Sequence, residues 1–501
     1  MVPNTDIYFK VIILGGGTAG WMAANLILHC WPNADLTLIE SDDVPTVGVG
    51  EGSTPYLKSF FKHLGIADRE WMPHCNATYK SGIRFPNWSN KPGYRSYFHP
   101  FYSELDIPTA DVFFAECKKP AHQRTTRIHP DDFFVNNQVA ALGLAPIAKA
   151  PGNFEVDYGY HFDAGLLGQY LKKRAIKMGL KHRFGHVSRA NLDSNSGRLL
   201  SVDTQEGEAI KGDLFIDCSG FSGLISQKTY HLPMREYRDC LFNDSALTLA
   251  TPVDQNQHLV SETRSTALGH GWAWKIPLTN RYGNGYVYSS AFVSRQCAEQ
   301  EFSAHLGLCG SEVNFRYLSM KVGRLEEHWH KNTLSVGLSQ GFVEPLEATA
   351  LMLVQFTLET FLRLFDPTKP LLANRQAEVN RRINTLTDGV KDYITAHYKL
   401  SQRDDTDYWR ACREVPVSST LAALIDAWPV PEAFEQALRD NRDSLAYLRP
   451  SWFVLFAGLG HLPTQADAVD DRQARDARDR CRLTAQQRFP DHWRVLNQMQ
   501  D

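Results

Sequence analysis

A chain of 501 residues is too long for one ordinary core and should divide into two or three closely packed units. Its 43% hydrophobic and 22% charged content is that of a globular protein, and a net charge of −3 gives no pull toward nucleic acid or acidic lipid. Nine scattered cysteines without CxxC argue for reduced thiols and a cytoplasmic protein; no apolar run approaches the roughly 18 residues of a membrane span, and there is no metal-ligand cluster.

The first segment, MVPNTDIYFK, carries charges straight into a glycine motif, which marks a first strand rather than a signal peptide. Lys10 to Leu14 is a β-branched run suited to a buried parallel strand. Gly15, Gly17 and Gly20 follow as GxGxxG, with Thr18 and Ala19 inside the motif, and an apolar helical pattern continues through Leu28. Glycines there permit a tight turn and let backbone amides at a helix start approach a pyrophosphate. A second strand, LTLIE, ends in Glu40, placed to accept hydrogen bonds from a ribose. Strand, turn, helix and acid together predict a dinucleotide site.

The stretch from His186 to Ala209 alternates like an antiparallel layer, with Ser194–Gly197 as a turn. GDLFIDCSGFSGLI then reads as a buried strand ending at Asp217 and a turn at Gly220. A second dinucleotide fingerprint, needed if NAD(P)H bound in its own domain, is missing. In GWAWKIP, Trp272 and Trp274 sit two apart and share one face of a strand, where they either fill a core or wall something off. In GFVEPLEATALMLVQFTLETFLRLF, Pro345 fits the first turn of a helix predicted to run through Phe365, and free amides at such a start favour an anion. Beyond about 366 the chain reads as helices, and DDRQARDARDRCR near the end as a solvated helix face.

Four segments, GGGTAGW at 15–21, GVGEGST at 48–54, GWAWKIP at 271–277 and GFVEPLEATA at 341–350, resemble the tryptophan-halogenase family of flavin-dependent halogenases over nearly the whole chain. The resemblance implies an α/β fold: an FAD-binding Rossmann-like module of the glutathione-reductase type with an antiparallel β layer over 1–365, with substrate-facing insertions around 75–160. A helical C-terminal module over 366–501 would cover the substrate. It implies FAD, used as FADH2 from a separate NAD(P)H-dependent flavin reductase, with O2 and a halide ion (chloride or bromide) yielding hypohalous acid. The cofactor site would comprise Gly15, Gly17, Thr18, Ala19, Gly20, Glu40, Gly48, Val49, Gly50, Glu51, Asp217 and Gly337.

In that family two tryptophans divide flavin from substrate, a role falling on Trp272 and Trp274. The halide would sit on the backbone amides of Thr349 and Ala350, although Ala348-Thr349-Ala350 stands where the family has Ser-Thr-Gly. Lys80, in NATYKSGIRFPNW, and Glu347 match the essential lysine and glutamate, with Lys275 a lesser candidate. The lysine would hydrogen-bond hypohalous acid or become a haloamine, and the carboxylate would act as base. His99, Pro100 and Phe101 would form one side of an aromatic clamp, opposed by Tyr447. A gapless count from Ala457–Gly460 places Glu435 and Gln436 where free-tryptophan enzymes have a Tyr-Tyr pair, and Arg442 at their ammonium acceptor. The substrate implied is a small electron-rich aromatic, indole-type rather than free tryptophan; the chain would act as monomer or homodimer. The competing readings are an FAD-dependent aromatic monooxygenase and a silent FAD-binding protein.

Overall fold

Five short sheets and a series of helices are built around two large apolar cores. The computed structural model describes residues 9–41, 51–120, 123, 128–150, 156–254, 258–310, 313–369, 372–462 and 472–500; Gly48, Val49 and Gly50 lie outside them. Among the described residues, no helix is long and apolar enough to cross a membrane, and no group of His, Cys, Asp and Glu could hold a metal ion.

The first sheet has six strands. Lys10–Leu14 is flanked by Leu214–Asp217 and Asp35–Glu40, all parallel, with Thr333–Ser335 and Lys181–Phe184 extending the parallel array. The central strand is buried along Val11–Leu14, which explains its unbroken apolar run. The helix Thr18–Cys30 follows within four residues, as the glycine motif predicts. Gly15 has φ +108°, and a Cβ on it would lie 2.2 Å from the Cys218 carbonyl oxygen; one on Gly20 would lie 2.0 Å from that of Gly15. Only glycine fits either place. Val187–Leu192, Leu199–Thr204 and Ala209–Lys211 make the expected antiparallel layer.

A seven-stranded sheet carries GWAWKIP near its centre, as strand Gly271–Pro277 between Glu262–Leu268 and Arg281–Tyr288. Its far edge is Gly82–Pro86 and Ser96–Pro100. A small third sheet joins Glu51–Gly52, Gly159–Phe162 and Thr78–Lys80. After Phe342 the elements are helical, from Ala350–Leu364 and Ala373–Leu400 to His492–Asn497. Trp272 and Ile83 of the large sheet share one core with Tyr393, Trp409 and Trp452 of those helices.

The helix expected to start at Pro345 starts later. Pro345 opens a short 3-10 turn to Glu347, Ala348 takes a left-handed φ of +57°, and the α-helix begins at Ala350. The left-handed step, unusual for alanine, breaks the run that periodicity alone would join.

Trp274 lies across the strand from Gly285, where a Cβ would come within 2.1 Å of its indole carbons. Gly285→Ala is therefore expected to lower the melting temperature, overpacking costing about 1–3 kcal/mol, and to shift tryptophan emission. An unchanged melt and spectrum would show that Trp274 does not rest on that strand.

Candidate active site

A cavity of about 660 Å³ opens at the C-terminal end of the parallel sheet, where open α/β sheets bind their ligands. Gly15, Gly17, Thr18, Ala19, Glu40, Glu51 and Gly337 line it, together with Cys218, Ser219 and Gly220. The residues fit a dinucleotide. A Cβ at Gly17 or Gly220 would meet nothing within 4 Å, so both face open space, and the helix after Gly17 has no side-chain cap for its first amides. Glu40 accepts from Lys172 (2.6 Å) and His182 (2.8 Å) through Oε1, which fixes the carboxylate at the cavity edge. Burial, with the Asp163 charge adding, pushes Glu51 up to about 7.

Two cofactor assignments change. Asp217 does not line the cavity; its oxygens accept from the Ser219 N–H and Oγ (3.1 and 2.5 Å), the Ile225 N–H (3.1 Å), and the Ser226 N–H and Oγ (2.9 and 3.0 Å). It shapes the 218–226 turn that lines the cavity. Gly20 likewise packs helix on strand and is absent from the lining.

Trp272, Trp274, Pro345 and Leu346 also line the cavity. The two indoles lie on one face with ring centres 6.1 Å apart, tilted by 53° rather than stacked. Trp272 Nε1 donates to Glu344 Oε2 (3.3 Å), which also accepts from Asn243 Nδ2 (2.7 Å). Burial raises Glu344 to about 7 against those bonds. Lys275 points away, its ammonium 4.0 Å from the Tyr282 ring centre, outside the site. Ala348 and Ala350 line the cavity and Thr349 does not; the Thr349 hydroxyl is buried without a partner.

Neither Lys80 nor Glu347 lines that cavity. Lys80 is fully buried, and its Nζ has no hydrogen-bond partner; the Phe101 ring centre lies 5.5 Å away. Burial pushes the amine down to about 7, the charge of Glu347 acting the other way. Burial works against the Glu347 carboxylate too, yet the flanking histidines hold it down to about 2. His99 Nδ1 donates to both its oxygens (3.1 and 3.2 Å). His397 Nδ1 donates to the Tyr393 carbonyl (2.9 Å), turning Nε2 to Glu347 Oε1 at 3.1 Å. Two histidines thus grip one carboxylate, and His397 had no sequence signal beyond its place one turn after Tyr393.

The aromatic clamp is arranged differently from expectation. Tyr447 stacks on Tyr393 at 3.7 Å between ring centres, and its ring is 6.2 Å from His99, tilted by 42°. At that spacing His99 and Tyr447 are themselves neighbouring rings. Pro100 is buried opposite Gly82 in the sheet. The charge pattern inferred by the gapless count falls on the surface. Glu435 pairs with Arg449 (2.6 Å) and Lys118 (2.8 Å), Gln436 bonds along its own helix to Asp440 (2.6 Å), and Arg442 is exposed. Gln436 and Arg442 are exposed to solvent, and Glu435 is engaged by two cations.

A family model described as tryptophan halogenase matches residues 10–475. The chain is 33% identical to tryptophan 6-halogenase SttH of Streptomyces toxytricini, covering 96% of each, and 34% identical to tryptophan 7-halogenase RebH of Lentzea aerocolonigenes, covering 92% and 93%. The crystal structure of SttH superposes with a TM-score of 0.84 at 31% identity over 98% of this chain and 99% of that one. BrvH, a flavin-dependent halogenase from Brevundimonas sp. BAL3, gives 0.80 at 29% over 98% and 99%. A dinucleotide cradle closed by paired tryptophans, on this fold, is that of a flavin-dependent enzyme. The chain belongs to the tryptophan halogenase family.

The folded Lys80 amine releases its proton near pH 7 against 10.5 for the free side chain. Its destabilising contribution is therefore complete below about 7 and fades as pH rises between those two values. Lys80→Met is expected to raise the unfolding free energy at pH 6–7 by on the order of a few kcal/mol, read by denaturant melts. That gain should vanish toward pH 10; a gain independent of pH would refute the buried-amine account.

Proposed function

We propose that this enzyme uses FADH2, O2 and a halide, chloride or bromide, to halogenate an electron-rich aromatic of the indole class. What supports the reading most is a partnerless buried Lys80 within the field of Glu347, both outside the lining of a cavity that two tryptophans help to wall. The cradle from Gly15 to Ala19, with Glu40, Glu51 and Gly337, would hold FAD, and its reduced form supplies the electrons that turn O2 and halide into hypohalous acid and water. A separate NAD(P)H-dependent reductase in the cytoplasm would provide it, because no second dinucleotide fingerprint is present in the sequence.

Each remaining step falls to the chain's own residues. Trp272, pinned by Glu344, and Trp274 keep the organic substrate from the cofactor while the small oxidant passes. The amide end of the helix at Thr349 and Ala350 would hold the halide. An amine with its proton lost near 7 is a nucleophile at neutral pH. Its lone pair takes the halogen; the O–X bond breaks toward oxygen, which collects the amine's proton and leaves as water. The substrate ring then takes the halogen as the N–X bond breaks, and its proton passes by way of Glu347, held by its histidines, to the Lys80 nitrogen. Ring plus hypohalous acid gives halogenated ring plus water, and Lys80 is regenerated. Relatives are named as halogenases of tryptophan; since Arg442 is exposed, its charge gives no ground for excluding tryptophan itself.

The test is incubation with FAD, a flavin reductase, NADH, bromide, and indole or tryptophan, read by mass spectrometry. A brominated product supports the reading, and a hydroxylated one supports a monooxygenase. Lys80→Ala should abolish halogenation while flavin oxidation by O2 stays within about twofold. NADH without reductase should not bleach bound flavin at catalytic rates; bleaching would remove the need for a partner.

A further inference from the structure

The space in front of Lys80 is bounded by a residue that neither motif nor resemblance singles out. Gly52 and Thr263 both line the large cavity. The point where a Cβ on Gly52 would stand is 3.1 Å from Lys80 Nζ and 3.3 Å from Thr263 Oγ1, with His161 Cδ2 at 3.6 Å. A lysine nitrogen without a partner and a threonine hydroxyl thus both lie against the bare α-carbon of Gly52, with Gly52 and Thr263 at the edge of the cavity.

The hydrogens around Thr263 can be placed by elimination. Thr78 Oγ1 donates its single hydrogen to the Pro277 carbonyl (2.7 Å). Its other contact, 3.0 Å from His161 Nδ1, must then be donated by the histidine. His161 is completely buried, and burial, with the charges of Lys80 and His492, keeps the ring neutral. With the proton on Nδ1, Nε2 is an acceptor, and it lies 2.9 Å from Thr263 Oγ1. Thr263 therefore spends its only hydrogen on His161. Its lone pairs alone remain for whatever enters beside Lys80.

Building on the halogenase reading above, we propose that Thr263 orients hypohalous acid: its Oγ1 accepts the O–H of HOX and turns the halogen toward Lys80 Nζ. His161 acts as a positioning residue, removing the hydroxyl hydrogen that would otherwise compete with the O–H of HOX. No bond is made or broken at Thr263. The halogen goes to Lys80 and the oxygen leaves as water, as described above, with the departing oxygen still held by the threonine.

Thr263→Val keeps the β-branched shape of the strand and removes the acceptor, whereas Thr263→Ser restores it. In the full-length enzyme with reductase, bromide and indole, Thr263→Val should lower brominated product per FADH2 oxidised by about tenfold. Free hypobromous acid caught by a chromogenic scavenger should rise in step; because Thr263 lines the cavity, FAD affinity is measured alongside and product is counted per FADH2 oxidised. Thr263→Ser should recover most of the coupling, which a purely structural effect on the sheet would not reproduce. If Thr263→Val misfolds, Thr263→Ala is judged by the same ratio. Wild-type coupling in the folded valine or alanine variant, or equal loss in the serine variant, would overturn the proposal. Absence of halogenated product from the wild type would instead overturn the halogenase reading itself.

Discussion

The enclosure is organised by the cost of keeping an amine out of water without a hydrogen-bond partner. Lys80 ends a three-residue strand between two sheets, shut in by Phe101 and by the backbone at Gly52. Burial strips its proton near neutrality, which an exposed lysine would keep. The arrangement persists because its surroundings are over-determined. Thr78, two residues earlier, is tied to Pro277 and His161, and Tyr79, facing the other way, donates its hydroxyl to Asp68.

The charge balance nearby follows the same logic. A buried carboxylate beside a half-protonated amine would be poorly compensated, and Glu347 is instead held by His99 and His397. That releases Lys80 from acting as a permanent counter-ion. Glu344, three residues before, behaves oppositely. It is raised by burial and anchors an indole rather than meeting a charge. One short segment therefore carries two buried acids whose surroundings set them to different protonation states.

Much of the cofactor side was legible in the sequence. The strand at Lys10–Leu14, the helix from Thr18 and the acid at Glu40 are local features, and the φ of Gly15 accounts for the motif's spacing. The two tryptophans were readable because strand periodicity assigns them a common face. What failed depended on distance in space. Counting back from Ala457 assumed a constant register, and the helix Pro431–Asp440 with the turn after it carries Gln436 and Arg442 outward. Asp217 looked like a ligand at the end of a strand, but its oxygens are consumed by its own turn. The left-handed Ala348 has no compositional signature, so the helix start was placed too early. His161, Thr263 and His397 emerge only when strands and helices far apart in sequence are brought together.

The stacking of Tyr447 on Tyr393 reaches further than the shape of a pocket. The Tyr393 carbonyl holds His397 Nδ1, and the other ring nitrogen of that histidine faces Glu347. On the proposed function, Tyr447 would thus be one link from the group that would receive the substrate's proton. Tyr447 packing and the orientation of the His397 ring meet on one helix turn. Enlarging the chamber at Tyr447 would retune the acid–base chemistry unless the helix that carries Tyr393 and His397 stays in place. Laboratory or natural diversification of this enzyme should then proceed through paired changes across that helix rather than through single replacements in the wall.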